Sequence, residues 1–342
     1  MKKVIIVSLM LSIFTGSAFA QLAFTGSAYA GIRLQQENGD QAIDTYHREE
    51  WSRVPRFDFT ATAMRENYGV RLDTTFQMSD DPEGQNFILN GIYGWVDFPG
   101  FLDGDALRLT MGQINSTPWV LPRLHPSHSE IKFGDVRGFR VEYATPLQGL
   151  SVGAAFRADG EDLQWTAERI IFGATFIHPL FNAVFAYDLG NNAQALFGFN
   201  FTGIPDLTAG IQLEASRLAT WDHPVYGFPG MLQMHQIVGY RIMRPLNVFL
   251  ILGQTIHGTS DSDIGLEFIP GVEYRILPNL LASFSLILDS PDHFTTTNLS
   301  LNPVLEYTLR GPAVLYVEYL LRLDNMETAT HTFGFGITVR AF

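Results

Sequence analysis

The residues in this chain that could do chemistry are arginines, carboxylates and histidines, and they recur in alternation with apolar residues rather than in compact motifs. Arg56, Arg71, Arg108, Arg140, Arg157 and Arg169 fall in the first half, and Glu214, Glu267, Glu273, Glu306 and Glu318 in the second. Their neighbours have the opposite character at the opposite parity. In residues 54–64, Phe57, Phe59, Ala61 and Ala63 oppose Arg56, Asp58, Thr60 and Thr62; in 68–78, Tyr68, Val70, Leu72, Thr74 and Phe76 oppose Arg71, Asp73 and Gln77. Alternation of this kind reads as strands with one apolar and one polar face. If such strands close around a lumen, arginines facing glutamates across it set up a transverse field that orders water and favours dipolar solutes. The alternative is local: pairs such as Arg56/Asp58 and Arg71/Asp73 neutralise one another within the wall. Beyond residue 20 the chain has one lysine, Lys132, against nineteen arginines, and a guanidinium holds its charge and orientation better than a flexible ammonium.

Enzyme chemistry finds little support. Ser127-His128-Ser129 is the one tight Ser/His cluster among nine histidines, and adjacent strand residues point to opposite faces, so it is no preformed dyad. No Gly-x-Ser-x-Gly elbow, HExxH motif or phosphate-binding glycine loop occurs. The absence of cysteine excludes thiolate metal sites, disulfides and cysteine nucleophiles together. The reading is no catalytic residue, no metal and no cofactor. A formal charge of −13 argues against nucleic acid as a partner.

The elements that must position the charged residues follow from composition and punctuation. Charged residues make up 17% of the chain, below the roughly 25% of ordinary globular proteins, while aromatics reach 13% and glycines number 31. Lys2 and Lys3, an apolar run from Val4 to about Phe14 and the small-x-small stretch Ser17-Ala18-Phe19-Ala20 predict a signal peptide over 1–20, with the remaining chain, 21–342, beginning at Gln21. Losing both lysines takes the formal charge from −13 to −15.

Short turns are predicted near Arg65-Glu66-Asn67, Pro99-Gly100, Pro146 to Gly149, His178-Pro179, Ile204-Pro205-Asp206, Arg244 to Asn247, Leu277-Pro278-Asn279 and Arg310-Gly311-Pro312. They alternate with longer polar segments at 37–50, 79–86, 115–134, 158–167, 189–194, 217–233, 257–263, 288–295 and 323–328. Short turns at one end and long loops at the other predict an all-β, transmembrane, antiparallel up-and-down barrel of about 18 strands, or 16 if one hairpin is miscounted. A charge facing lipid costs roughly 2–4 kcal/mol, so the charged parity points inward, and the eleven arginines and glutamates named above become pore-lining candidates. A barrel this wide leaves an aqueous lumen. The tryptophans Trp51, Trp95, Trp119, Trp165 and Trp221 fall near strand ends, as in an interfacial girdle.

The final strand makes the case more specific. Phe333, Phe335, Ile337 and Val339 alternate with Gly334, Gly336, Thr338 and Arg340, and the chain stops on Phe342. This resembles the closing strand of bacterial outer-membrane β-barrels, whose aromatic terminus is read by the barrel-assembly machinery; a bulge near Arg340-Ala341 would bring Phe342 into the lipid-facing parity. The run Gly112-Gln113-Ile114-Asn115-Ser116-Thr117-Pro118-Trp119 resembles the start of a loop in porins of the phosphate-selective type, although a single lysine in this loop sets it apart from that family's lysine-rich pores. The resemblance to porins implies a long loop folded into the lumen as a constriction. The candidate loop is 115–134, stiffened by Pro118, Pro122 and Pro126 and carrying Arg123, His125, His128, Glu130 and Lys132; residues 217–233 are a second candidate. It also implies outer-membrane lipid as surroundings, passive diffusion of small hydrophilic solutes, and a homotrimer. The alternative is a plugged, non-channel surface barrel, an adhesin or structural protein.

Overall fold

The computed structural model describes residues 21–37, 39–45, 55–77, 86–100, 102–115, 119, 121, 124, 136–158, 170–190, 194–216, 231–257, 264–290, 296–309 and 312–340. The predicted signal peptide, the terminal Ala341 and Phe342 with their expected bulge, and residues 217–230 of the predicted loop 217–233 lie outside these residues; its last three residues, 231–233, are strand and not loop.

The regular elements described are all strands. The first arc comprises β1 (Gln21–Glu37), β2 (Asp40–Thr45), β3 (Arg56–Arg65), β4 (Tyr68–Gln77), β5 (Asn86–Pro99) and β6 (Ala106–Ile114). There follow β7 (Val136–Ala144), β8 (Leu150–Arg157), β9 (Ile170–His178), β10 (Phe181–Asp188), β11 (Gln194–Phe201) and β12 (Leu207–Ser216). The last arc is β13 (Met231–Met243), β14 (Leu246–His257), β15 (Ile264–Leu277), β16 (Leu280–Ser290), β17 (Asn298–Thr308), β18 (Ala313–Asp324) and β19 (Thr328–Arg340).

From β3 onward each strand pairs antiparallel with the next, and β19 returns to β1, from Ser27↔Arg340 to Glu37↔Thr330. The other edge of β1 is shared: Gln21–Tyr29 pairs with β3, and Ile32–Glu37 with β2. β2 and β3 are therefore two pieces of one interrupted barrel strand, and the wall closes at 18 strands. The structure differs here from the predicted loop 37–50. Asp40-Gln41-Ala42-Ile43-Asp44-Thr45 carries too little apolar alternation to be read as a strand, and it is held by the long edge of β1. Closure leaves no unpaired edge, which meets the backbone's hydrogen-bonding demand in a non-aqueous surrounding.

All eight predicted turns fall between consecutive strands at one end of the barrel. Their geometry is tight. Glu66 (φ 39°), Asp206 (φ 65°) and Gly149 (φ 86°) take left-handed backbone, and Asn67 Nδ2 donates to the carbonyl of Asp97 at 3.1 Å. An aromatic cluster sits beside them: Phe181 lies 5.6 Å from Phe176 and 5.3 Å from Phe199, with the His178 ring 5.3 Å away.

Register assigns the faces. Opposed residues in a ladder share a face, so Ile32 and Leu34 of β1 line up with Phe335 and Phe333 of β19 on the outside, joined at the same parities by Leu22, Phe24, Ile337 and Val339, and most of these are exposed. The fully buried Ile171, Leu196, Ile237 and Ile251 carry the opposite parity, that of the arginines and glutamates. Burial within a closed, single-layered wall is available on the inside alone, so the charged parity is the inner one. Aromatic pairs such as Phe76–Phe87 (5.1 Å) and Phe24–Phe59 (5.9 Å) tile the outside.

Candidate functional site

The inner wall divides into arcs of different chemistry. On β1 to β10 every inward arginine meets a carboxylate. Arg56 Nε donates to Asp58 at 2.7 Å and Arg71 Nε to Asp73 at 2.8 Å. A threonine of the neighbouring strand shares each acid, since Thr75 Oγ1 donates to Asp58 at 2.6 Å and Thr60 Oγ1 to Asp73 at 2.5 Å. Arg108 grips Asp97 through two bonds of 2.6 and 2.9 Å, with its guanidinium 5.8 Å from the Trp95 ring centre. Arg140 pairs with Glu142 (2.8 Å) and Arg33 with Asp44 (3.4 Å). Arg157 reaches past β9 to clamp Asp188, which is 4% exposed and also accepts from the Gly190 amide at 2.9 Å.

Beyond this arc the balance changes. Glu214 on β12, Glu267 and Glu273 on β15, Asp289 on β16, Glu306 on β17 and Glu318 on β18 share the inner parity. The arginines of inner parity there are Arg241, paired with Asp206 at 3.1 Å, Arg275, which donates to the Pro278 carbonyl at 3.0 Å, Arg322, paired with Asp324, and Arg340, in register with Ser27 at the end of β19.

A third arc, on β7 to β16, is apolar where a porous barrel would be expected to be polar. Val136, Ala155, Ile171, Val184, Ala186 and Leu196 form one buried cluster with Trp119 and Leu121. Ile237, Phe249, Ile251 and Ile269 form a second, against which Leu124 packs. Trp119, Leu121 and Leu124 belong to the connection after β6, and all three are seated on the inside of the wall. Glycines make the seats. A side chain at Gly173 would overlap the Trp119 indole, a Cβ at Gly198 would come within 2.5 Å of Leu121 Cδ1, and one at Gly210 within 2.6 Å of Leu124 Cδ1. The three anchors are thus spread across the strands, Trp119 on β8–β9, Leu121 on β10–β11 and Leu124 on β12 and β13–β15.

The predicted residues are placed as follows. Arg56, Arg71, Arg108, Arg140, Arg157, Glu214, Glu267, Glu273, Glu306 and Glu318 all lie on the inner face; Arg169 lies outside the described residues, as do Arg123, His125, His128, Glu130 and Lys132. The expected transverse field loses its basic side, because the inward arginines of β1 to β10 are each neutralised within the wall. Trp95 and Trp119 point inward, Trp95 across from Gly69 and Trp119 over Gly173, so neither belongs to a lipid-interface girdle; Trp51, Trp165 and Trp221 lie outside the described residues. Sequence reasoning missed the apolar anchors, although Trp119-x-Leu121-x-x-Leu124 stands out as apolar in a polar, proline-rich loop. It also missed how general the Arg-x-acid spacing is: Arg56/Asp58, Arg71/Asp73, Arg140/Glu142 and Arg322/Asp324 all place both groups on one face. Among the described residues no group of three His, Asp or Glu side chains is arranged to hold a metal.

A closed antiparallel barrel, apolar outside and ion-paired inside, is porin-like in architecture. Solved structures share it. A triple mutant of the Rhodopseudomonas blastica porin superposes with a TM-score of 0.53 at 11% identity, covering 94% of this chain and 100% of the porin. A second variant of that porin gives 0.52 at 12% identity, and a chain from work on the asymmetric conductivity of engineered proteins gives 0.51 at 11%, each with the same coverage. At such identities the likeness is one of fold. No family model matches the sequence, and no curated protein is similar to it.

Proposed function

We propose that the chain is a bacterial outer-membrane porin, a passive, water-filled route for small hydrophilic solutes, with 115–134 narrowing its lumen and the candidate arginines and glutamates lining it. The observation that carries this reading is the wall itself: 18 strands closed without an edge, apolar residues outward and charged residues inward. A barrel of that size has a lumen wider than side chains can fill. Such a protein has no catalytic residue, is delivered through its closing strand to the assembly machinery, sits in outer-membrane lipid, and forms trimers.

A second reading, a plugged surface barrel, draws on the apolar arc, since Trp119, Leu121 and Leu124 already occupy part of the inside. Single-channel recording in planar bilayers separates the two. Discrete, salt-dependent steps that grow when 119–124 is deleted support the porin. Silence from a barrel whose heat-modifiable gel mobility proves it folded favours the plug.

A further inference from the structure

Resting on the channel reading, we infer that the lumen selects for positively charged solutes, and that carboxylates of β12, β15 and β16 set the preference. The starting point is how the inner charges are committed. Arg33, Arg56, Arg71, Arg108, Arg140 and Arg157 each have a carboxylate partner, and so have Arg241 and Arg322. To a solute more than a few ångströms away, each pair is a dipole rather than a cation. The inner acids of β12 to β18 are Glu214, Glu267, Glu273, Asp289, Glu306 and Glu318, and the remaining arginines of inner parity, Arg275 and Arg340, both stand at the short-turn end of the wall.

Three of these acids are placed together. Glu267 stands directly across from Asp289 in the β15–β16 ladder and, through Gly253, beside His235 on β13; Glu214 lies on the next strand, two residues from the end of β12. All three approach the long-loop mouth. Among the described residues no arginine reaches Glu214, Glu267 or Asp289. The segments joining these strands add no net positive charge: 217–230 carries Arg217 and Asp222, 258–263 Asp261 and Asp263, and 291–295 Asp292.

The effect is a bias in concentration along the wall, not a binding site. A few unit charges within a Debye length, about 10 Å at 0.1 M salt, enrich a monovalent cation about threefold and deplete an anion as much. At 1 M the Debye length falls to about 3 Å and the bias collapses.

The experiment is a reversal-potential measurement under a KCl gradient with the folded barrel in a planar bilayer, at about 0.1 M and about 1 M mean salt. The expected result is a potassium preference of several-fold at low salt, diminishing at high salt, and reduced at least twofold in E214Q/E267Q/D289N with conductance steps retained. Chloride preference, no preference, or a potassium preference that the triple variant leaves unmoved overturns the inference while the channel stands. If the triple variant fails to fold, E267Q alone carries the test, with a smaller shift of the same sign expected and no shift overturning it. Silence from the folded wild-type barrel overturns the channel reading and this inference with it.

Discussion

Replacing Trp119 by alanine should free the inner segment without unfolding the barrel. The indole is 3% exposed and lies over Gly173, with Gly153, the cross-strand partner of Gly173, beneath its Cζ2 edge. Burying a tryptophan removes about 150–250 Å² from water, worth at most ~4–6 kcal/mol at ~25 cal/mol per Å². Truncations of buried aromatics cost about 3–5 kcal/mol in practice. Leu121 and Leu124 still hold the segment at Gly198 and Gly210, so the loss falls on a local opening and not on the strand ladders. At 1.4 kcal/mol per tenfold, a loss of ~4 kcal/mol raises the detached population about a thousandfold. Single-channel records should then show excess open-channel noise and larger mean conductance, and added protease should cut within 115–134, while the melting of the β-sheet signal moves by only a degree or two. Gly173→Leu should reproduce this from the wall side, because its side chain takes the volume the indole occupies. Quiet, wild-type currents in both variants would refute the reasoning. So would a large drop in barrel melting with unaltered current, which would make Trp119 a core residue of the wall.

Two further outcomes test the wall. Arg157→Ala leaves Asp188 buried without its cation and should cost about 3–5 kcal/mol, seen as a lower temperature for loss of compact gel mobility; Arg157→Ala with Asp188→Asn should regain most of it, and equal melting of the two variants would discount the pair. Phe335→Arg places a guanidinium on the outside between Ile32 and Val317 and should lower folding stability in lipid vesicles by roughly 2–4 kcal/mol in a urea titration, whereas Phe335→Leu should be near neutral; equal behaviour would reverse the face assignment of β19.

The parts of the fold legible in the sequence were those that repeat. Eight turn stretches at about 33-residue intervals and a parity of charge that only Arg65 on β3 and Arg137 on β7 break among the described strands define hairpin count and inner face, because alternation has a period of two whatever the tertiary context. What escaped were features that depend on a distant partner. Asp40–Thr45 has no strand pattern of its own and is a strand because β1 extends past β3. Arg157 reads as a free inward cation until β10 brings Asp188 beside it, 31 residues on. Trp119 reads as interfacial because tryptophans near strand ends usually are; its seat depends on Gly153 and Gly173, whose missing side chains look in the sequence like ordinary strand glycines. Four arginine pairs were within reach, since an acid two residues along a strand needs no fold to be a neighbour on the same face.

The apolar anchors also bear on what fills the barrel. Irregular backbone at membrane depth is tolerated where protein or water satisfies its N–H and C=O groups, and not otherwise. The segment carrying Trp119, Leu121 and Leu124 lies against Ile171, Val184, Leu196, Ile237 and Ile251, side chains that offer no donor or acceptor. The wall beside it also carries donors and acceptors in Asn200 and Gln212, each 1% exposed and on the same inner face. The opposite arc presents Arg56–Asp58, Arg71–Asp73 and Arg108–Asp97, charged pairs whose exposed faces also need solvation. Two polar surfaces facing each other across a barrel too wide for side chains to bridge are both met by water between them. On the channel reading, the water that a diffusion route requires is also what solvates the ion pairs of this arc.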